Sequence, residues 1–178
     1  MTTESVSITV VGDGVVGKTC LLMRYATGHE PDFDSYVPTV FDDFKEEITV
    51  DGKTINLKLW DTAGQEDYER IRSLCYKQTD LFIVCYALNC ITSAKNCKHK
   101  WKKELSRYKK PIVLIGTKLD LIEDTTMAYN FGTELLKDMK VSGLFFTSAK
   151  TGEGVREAIT ESVRIAIKKR KKTSCVLL

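Results

Sequence analysis

Eight residues near the start, Gly12-Asp13-Gly14-Val15-Val16-Gly17-Lys18-Thr19, set two glycines with four residues between them ahead of a Lys-Thr pair. That spacing suits phosphate binding. Glycines let the chain curl until successive N–H groups and a helix N-terminus face inward toward phosphate oxygens, while Lys18 reaches the terminal phosphates and the Thr19 hydroxyl binds Mg²⁺. Further on, Asp61-Thr62-Ala63-Gly64-Gln65-Glu66 supplies an acidic group suited to hold Mg²⁺ through water, and a glycine whose N–H can come close to a terminal phosphate. Thr117-Lys118-Leu119-Asp120 and Thr147-Ser148-Ala149-Lys150 add two more polar clusters.

Each cluster needs an element to hold it. Val6 to Val11 is a short apolar run rich in β-branched residues, and Cys20 to Tyr25 reads as helix, so the glycine loop lies between strand and helix. Phe44 to Val50 and Thr54 to Trp60 alternate on either side of Asp51-Gly52-Lys53, which predicts an antiparallel hairpin whose second strand ends at Asp61. Asp67 to Lys77 reads as a loop or short helix, and Leu81 to Ala87 as a strand buried on both faces. A basic helix is expected from Ser93 to Tyr108, a strand from Pro111 to Gly116, a helix from Thr126 to Met139 and a strand at Leu144 to Phe146. The last helix carries Val155, Ile159, Val163 and Ile167 every four residues. The expected fold is α/β of the P-loop NTPase type: a mostly parallel six-stranded sheet with one antiparallel edge strand and helices on both faces. In such sheets ligands bind at the carboxyl ends of the strands. The four polar clusters follow the first, third, fifth and sixth strands, so they converge on one site.

Composition narrows the class. A chain of 178 residues with 43% hydrophobic content can bury a core without disulfides. Net charge is +3, but Lys168, Lys169, Arg170, Lys171 and Lys172 carry five positive charges, which leaves the remainder net negative. The basicity belongs to a tail, and a nucleic-acid-binding body is not indicated. The six cysteines form no C-x-x-C pair, so neither a zinc site nor a redox motif is expected and the chain reads as reduced and intracellular. No apolar run approaches a membrane span, and Met1 to Ser5 does not read as a signal peptide.

Taken together in this order, the phosphate loop, Tyr36-Val37-Pro38-Thr39, Asp-Thr-Ala-Gly-Gln, Thr-Lys-Leu-Asp and Ser-Ala-Lys resemble the Ras superfamily of small GTPases along nearly the whole chain. The loop sequence, Tyr36 to Asp42, Trp60 to Tyr68 and the Thr at position 117 are similar to the Rho/Rac branch. The resemblance implies a GTP/GDP and Mg²⁺ site. Nucleotide contacts are implied at Gly14, Val15, Val16, Gly17, Lys18, Thr19 and Cys20, at Phe33, Tyr36, Pro38 and Thr39, at Gly64, and at Lys118, Asp120, Ser148, Ala149 and Lys150. Mg²⁺ is implied at Thr19 and Thr39 directly and at Asp61 through water, with Gln65 orienting the attacking water. Residues 33–43 and 64–77 would be the two switches, read by exchange factors, GTPase-activating proteins and effectors, with a guanine-nucleotide dissociation inhibitor as a further partner. The Asp120 carboxylate can accept from guanine N1–H and the 2-amino group, whereas adenine offers an acceptor at N1. Lys118 can lie along the base, and the Ala149 N–H can donate to guanine O6. Gly14 should keep room for Gln65 and a partner arginine. Arg24, Arg70 and Arg72 read as solvated or salt-bridged, so intrinsic hydrolysis should be slow and partner-stimulated.

Three features depart from the family pattern. Thr19 and Thr39 are 20 positions apart, about two more than usual, and Phe33, with His29 a poorer candidate, stands in for the aromatic that lies on guanine. Either that stack is lost and exchange is fast, or the longer loop bulges outward. Asp120 and Ser148 are 28 positions apart, too few for the usual Rho insert helix. Position 150 is Lys, as in Ras-like chains.

The expected organisation is a GTPase domain over residues 1–167 and a tail over 168–178 ending Cys175-Val176-Leu177-Leu178. That ending fits geranylgeranylation of Cys175, and with the basic run it places the protein as a monomer on the anionic cytoplasmic face of membranes, the plasma membrane first, with a cytosolic pool. Rho-like control of the cytoskeleton follows from the resemblance. A weakly hydrolysing, fast-exchanging GTP-binding scaffold and a P-loop enzyme of another class, such as a kinase, are the alternatives.

Overall fold

A computed structural model describes residues 4–33 and 41–175. Six strands form one sheet: β1 (Glu4–Gly12), β2 (Phe41–Val50), β3 (Lys53–Thr62), β4 (Leu81–Ala87), β5 (Ile112–Thr117) and β6 (Gly143–Phe146). Their order is β2-β3-β1-β4-β5-β6, with β2 antiparallel to β3 at one edge and every other pairing parallel. The expected architecture is the observed one.

Local chemistry explains the hairpin. Val50 pairs with Lys53, so only Asp51 and Gly52 make the turn, and both have positive φ, 51° and 74°. That is the type I′ geometry whose twist matches paired strands, and Asp-Gly is the pair that adopts it at least cost. Its short reach fixes the register that ends β3 at Asp61 and Thr62.

The helices are α1 (Lys18–Thr27), α2 (Glu69–Tyr76), α3 (Ile91–Asn96), α4 (Lys102–Leu105), α5 (Thr125–Met139) and α6 (Val155–Cys175). A π turn, Cys97–Trp101, joins α3 to α4, and a short 3₁₀ turn continues to Tyr108. The basic helix expected over 93–108 is therefore four segments end to end, α, π, α and 3₁₀.

Alternation along β4 shows how the layers form. Leu81, Ile83 and Cys85 join Val6, Ile8, Leu21, Leu22, Ile159 and Val163 in a core under α1 and α6. Phe82, Val84 and Tyr86 join Tyr76, Trp101, Leu105, Leu135 and Met139 on the opposite face. Because every residue of β4 is buried, the strand reads as an unbroken apolar run. α6 continues past Ile167 through the basic run to Cys175. Lys and Arg are good helix formers, so the helix outlasts its apolar stripe. Arg170 also returns to the body, with its Nε 3.0 Å from Asp80 Oδ1 and its Nη1 donating to Ser5 O.

Candidate functional site

The phosphate loop turns between β1 and α1 under tight local constraint. Gly12 has φ 146°, and a Cβ there would lie 2.3 Å from the Cys85 carbonyl oxygen, so no side chain fits. Val15 has φ 62° although β-branched, a conformation such residues rarely adopt, and its side chain is 69% exposed at the crown of the loop. Gly17, at φ 93°, leads into α1. Strain of this kind persists where surrounding structure holds it, commonly at binding sites. A Cβ on Gly14 meets nothing within 4 Å, so within the protein itself that position is open, and the crowding expected there does not arise from this chain.

Lys18 is buried at 6% exposure and donates to the Gly12 carbonyl at 3.0 Å and the Asp13 carbonyl at 2.7 Å. Burial pulls its ammonium below the usual lysine range, while nearby Cys85, Asp61 and Asp13 act the other way. An ammonium held inside a curl of backbone is placed for an anionic ligand. Next to it, Thr19 Oγ1 donates to Asp61 Oδ2 at 2.6 Å, joining the start of α1 to the end of β3. Hydroxyl and carboxylate oxygens are the hard donors Mg²⁺ prefers, and Mg²⁺ needs only one or two of them beside phosphate oxygens, so this pair fits the ion. No cluster of three or more His, Cys, Asp or Glu suited to a metal occurs among the described residues.

Loops from separate strands meet over α1 in a cleft of about 580 Å³. The phosphate-loop side contributes Val15, Gly17, Lys18, Thr19 and Cys20; the loop after α1 contributes Asp32 and Phe33. Thr117, Lys118, Asp120 and Leu121 come from the end of β5, and Thr147, Ala149 and Lys150 from the end of β6. Lys118 takes a left-handed φ of 61°, which turns the chain sharply out of β5. Ser148 is wholly buried and its Oγ donates to Asp120 Oδ1 at 2.5 Å, so the last two loops are tied and the Asp120 carboxylate is oriented. Thr117 Oγ1 lies 2.5 Å from the Val16 carbonyl and 3.1 Å from the Tyr86 carbonyl, binding β5 to the phosphate loop.

Gly64 sits against the phosphate loop. A Cβ there would fall 2.3 Å from the Asp13 carbonyl carbon and 2.4 Å from the Gly14 nitrogen. Gln65 follows with its side chain exposed. Phe33, 48% exposed, borders the cleft, whereas His29 is exposed and does not line it. Tyr36, Pro38 and Thr39 lie outside the described residues. Cys175 is the last residue of α6.

Sequence reasoning passed over several groups that hold this site. Asp13 accepts from Asn96 Nδ2 at 2.6 Å and from Trp101 Nε1 at 2.8 Å. Arg72, read from sequence as solvated or salt-bridged, is salt-bridged and fully buried: its Nη2 lies 3.0 Å from Glu104 Oε2. Burial opposes its charge, but the Glu104 carboxylate wins and raises its pKa. The only sequence clue was Glu104, a lone acid in a basic helix.

A strained glycine loop that buries its own lysine, opening at the strand ends beside a hydroxyl and a carboxylate, defines the class of P-loop nucleoside triphosphatases. Comparison takes this one step further: the model of the Ras family matches residues 7–168. The Ras-like GTP-binding protein RhoL of Drosophila melanogaster is 42% identical over 172 residues, covering 94% of this chain and 90% of that protein. The chain belongs to the Ras family of small GTPases, enzymes that hydrolyse GTP.

Proposed function

We propose that this GTPase is a Rho-like switch working at membranes, with its GTP and GDP states read through residues 33–43 and 64–77. The observation that carries the reading is the convergence of the loops after β1, β5 and β6 on one cleft, with Gly64 of the loop after β3 lying against the phosphate loop. In this reading Gly14, Val15, Val16, Gly17, Lys18, Thr19 and Cys20 wrap the phosphates, and Lys118, Asp120, Ser148, Ala149 and Lys150 hold guanine. Thr19 and Thr39 directly, and Asp61 through water, would hold Mg²⁺, which when bound neutralises charge on the phosphate oxygens. Phe33, Tyr36 and Pro38 contact the nucleotide, the Gly64 N–H meets the γ-phosphate, and Gln65 orients the attacking water. Loss of the γ-phosphate frees both switch segments, which is how one site reports its state to exchange factors, GTPase-activating proteins and effectors.

The 42% identity to RhoL supports the Rho-like assignment. Cytoskeletal signalling and recognition by a dissociation inhibitor belong to the same proposal, on the resemblance of the motifs alone. Geranylgeranyl on Cys175 would give reversible attachment by itself, so the basic run supplies a second signal at about 1 kcal/mol per residue near an anionic leaflet. Lys168, Lys169, Arg170, Lys171 and Lys172 together carry that attraction in this reading. Residues 1–167 act as the GTPase domain and 168–178 as its attachment, the protein working as a monomer with plasma-membrane and cytosolic pools.

Single-turnover hydrolysis with Gln65→Leu, together with fractionation of cells expressing Cys175→Ser, tests both halves. The wild type should turn over GTP on the order of 10⁻⁴ per second, the scale of Ras itself, and Gln65→Leu far more slowly at normal affinity. Cys175→Ser should move to the cytosol. An unchanged rate defeats the Gln65 role, and unchanged membrane recovery defeats the anchor. The half-exposed Phe33 favours one second reading, a fast-exchanging, weakly hydrolysing scaffold. Spontaneous GDP release within seconds, without an exchange factor, would select it.

A further inference from the structure

The π turn at Cys97–Trp101 has a geometric consequence at the site. A π turn bonds residue i to i+5, so residues five apart stack on the same side, whereas at 3.6 residues per turn an α-helix splays them by about 140°. Asn96 and Trp101 are five apart, and both donate to the Asp13 carboxylate of the phosphate loop. The same buried indole has a cation on either account: the Arg72 guanidinium lies 5.0 Å and the Lys100 ammonium 4.8 Å from its ring centroid.

Those two cations hold the three consecutive carbonyls of residues 63–65, where the 64–77 segment begins. Arg72 Nη1 donates to Ala63 O at 2.9 Å and Gln65 O at 2.6 Å, and Lys100 Nζ reaches Gly64 O at 3.5 Å while pairing with Glu66 at 3.3 Å. A trans peptide is planar, so its C=O and N–H point in opposite directions. Fixing the Ala63 carbonyl on Arg72 therefore turns the Gly64 N–H away from Arg72, and fixing the Gly64 carbonyl on Lys100 sets the Gln65 N–H in the same manner. Glu104 makes the arrangement rigid. Its two oxygens take Arg72 Nε at 3.2 Å and Nη2 at 3.0 Å, leaving Nη1 for the backbone, and Tyr76 Oη donates to Glu104 Oε1 at 2.6 Å. A buried ion pair adds little stability over a well-packed apolar pair, so its value here lies in geometry.

We infer that Arg72 and Lys100, seated on Trp101, are positioning residues that aim the Gly64 amide at the γ-phosphate and so set both the preference for GTP over GDP and the hydrolysis rate. The inference rests on the γ-phosphate contact proposed above for Gly64. Neither side chain touches the nucleotide; each acts through the backbone of residues 63–65.

The test measures affinity for GDP and for a non-hydrolysable GTP analogue, with single-turnover GTP hydrolysis, in Lys100→Met and in the double variant Arg72→Met/Glu104→Met. The double change removes both members of the buried pair, and the half-buried Lys100 can be replaced without disturbing the core. Losing hydrogen bonds from charged donors should lower the analogue-to-GDP affinity ratio roughly 10-fold in the double variant and roughly 3-fold in Lys100→Met. Hydrolysis should fall in parallel, with GDP affinity held within about twofold. Ile159→Ala, in the core on the opposite sheet face, lowers thermal stability and should leave the ratio unchanged. A merely structural role would move melting temperature in all three variants and the ratio in none, which overturns the inference. Gly64→Ala separates the premise: if it too keeps the wild-type ratio, the γ-phosphate contact itself fails and the clamp with it.

Discussion

Replacing Thr117 by Val removes one hydroxyl and almost nothing else, since the two side chains share a shape. Thr117 is 4% exposed and its single hydroxyl proton serves two carbonyls, the nearer being Val16 at 2.5 Å. Without it the Val16 carbonyl, on a residue only 2% exposed, loses this donor, and a buried acceptor left unsatisfied costs about 1–3 kcal/mol. Taking about 2 kcal/mol, and about 2–4 °C per kcal/mol for a chain of this size, the nucleotide-free protein should melt about 4–8 °C lower. The larger consequence is functional. The empty phosphate loop can then relax out of the shape that the bond to β5 maintains, and binding must restore it, so GDP affinity should fall by up to about 30-fold. Thermal unfolding of the nucleotide-free protein and the GDP dissociation constant measure the two effects separately. A lower melting temperature with GDP affinity unchanged would refute the reasoning, because it would make the bond a scaffold contact with no hold on the loop.

Other outcomes follow from the same geometry. Gly154→Ala should destabilise by several degrees more than Gly28→Ala in thermal unfolding: both have left-handed φ, 67° and 72°, but a Cβ on Gly154 falls 2.2 Å from the Phe146 carbonyl oxygen and one on Gly28 meets open space. Among Cys20, Cys75, Cys85, Cys90 and Cys97, maleimide labelling at neutral pH, mapped by mass spectrometry, should modify exposed Cys90 first and spare Cys85, whose thiol burial pushes up to about 12. Cys75 and Cys97, also buried and raised by burial, should be spared too, while half-buried Cys20 at the cleft should label slowly and be protected by GDP.

Much of the site was legible because its signals are local. Glycine spacing before Lys18-Thr19, and polar clusters placed where apolar runs stop, need only neighbouring residues to be read, and the Asp51-Gly52 hairpin is a two-residue signal. What escaped depends on partners far apart in sequence. Arg72 and Glu104 are 32 positions apart, and Asp13 and Trp101 are 88 apart, so neither pairing leaves a periodic trace. The π turn is invisible for the same reason: its Asn96 and Trp101 meet on Asp13, and no local propensity marks that contact. The extent of α6 was missed differently, because the apolar repeat ends at Ile167 while the good helix formers beyond it carry the helix to Cys175.

The central claim is that the cleft reads guanine through a carboxylate held at the end of β5. Ser148 fixes Asp120 Oδ1, so this carboxylate is oriented before any ligand arrives. Competition against bound GDP measures this most directly, using GTP, ATP and xanthosine triphosphate with the wild type and with Asp120→Asn. A site that pairs with its ligand rejects an analogue lacking the partner groups by on the order of 10⁴-fold, so ATP should compete that much less well than GTP. Asp120→Asn should lose GTP and gain xanthosine triphosphate, whose C2 oxygen accepts from the new amide. Equal competition by ATP and GTP in the wild type would contradict the account.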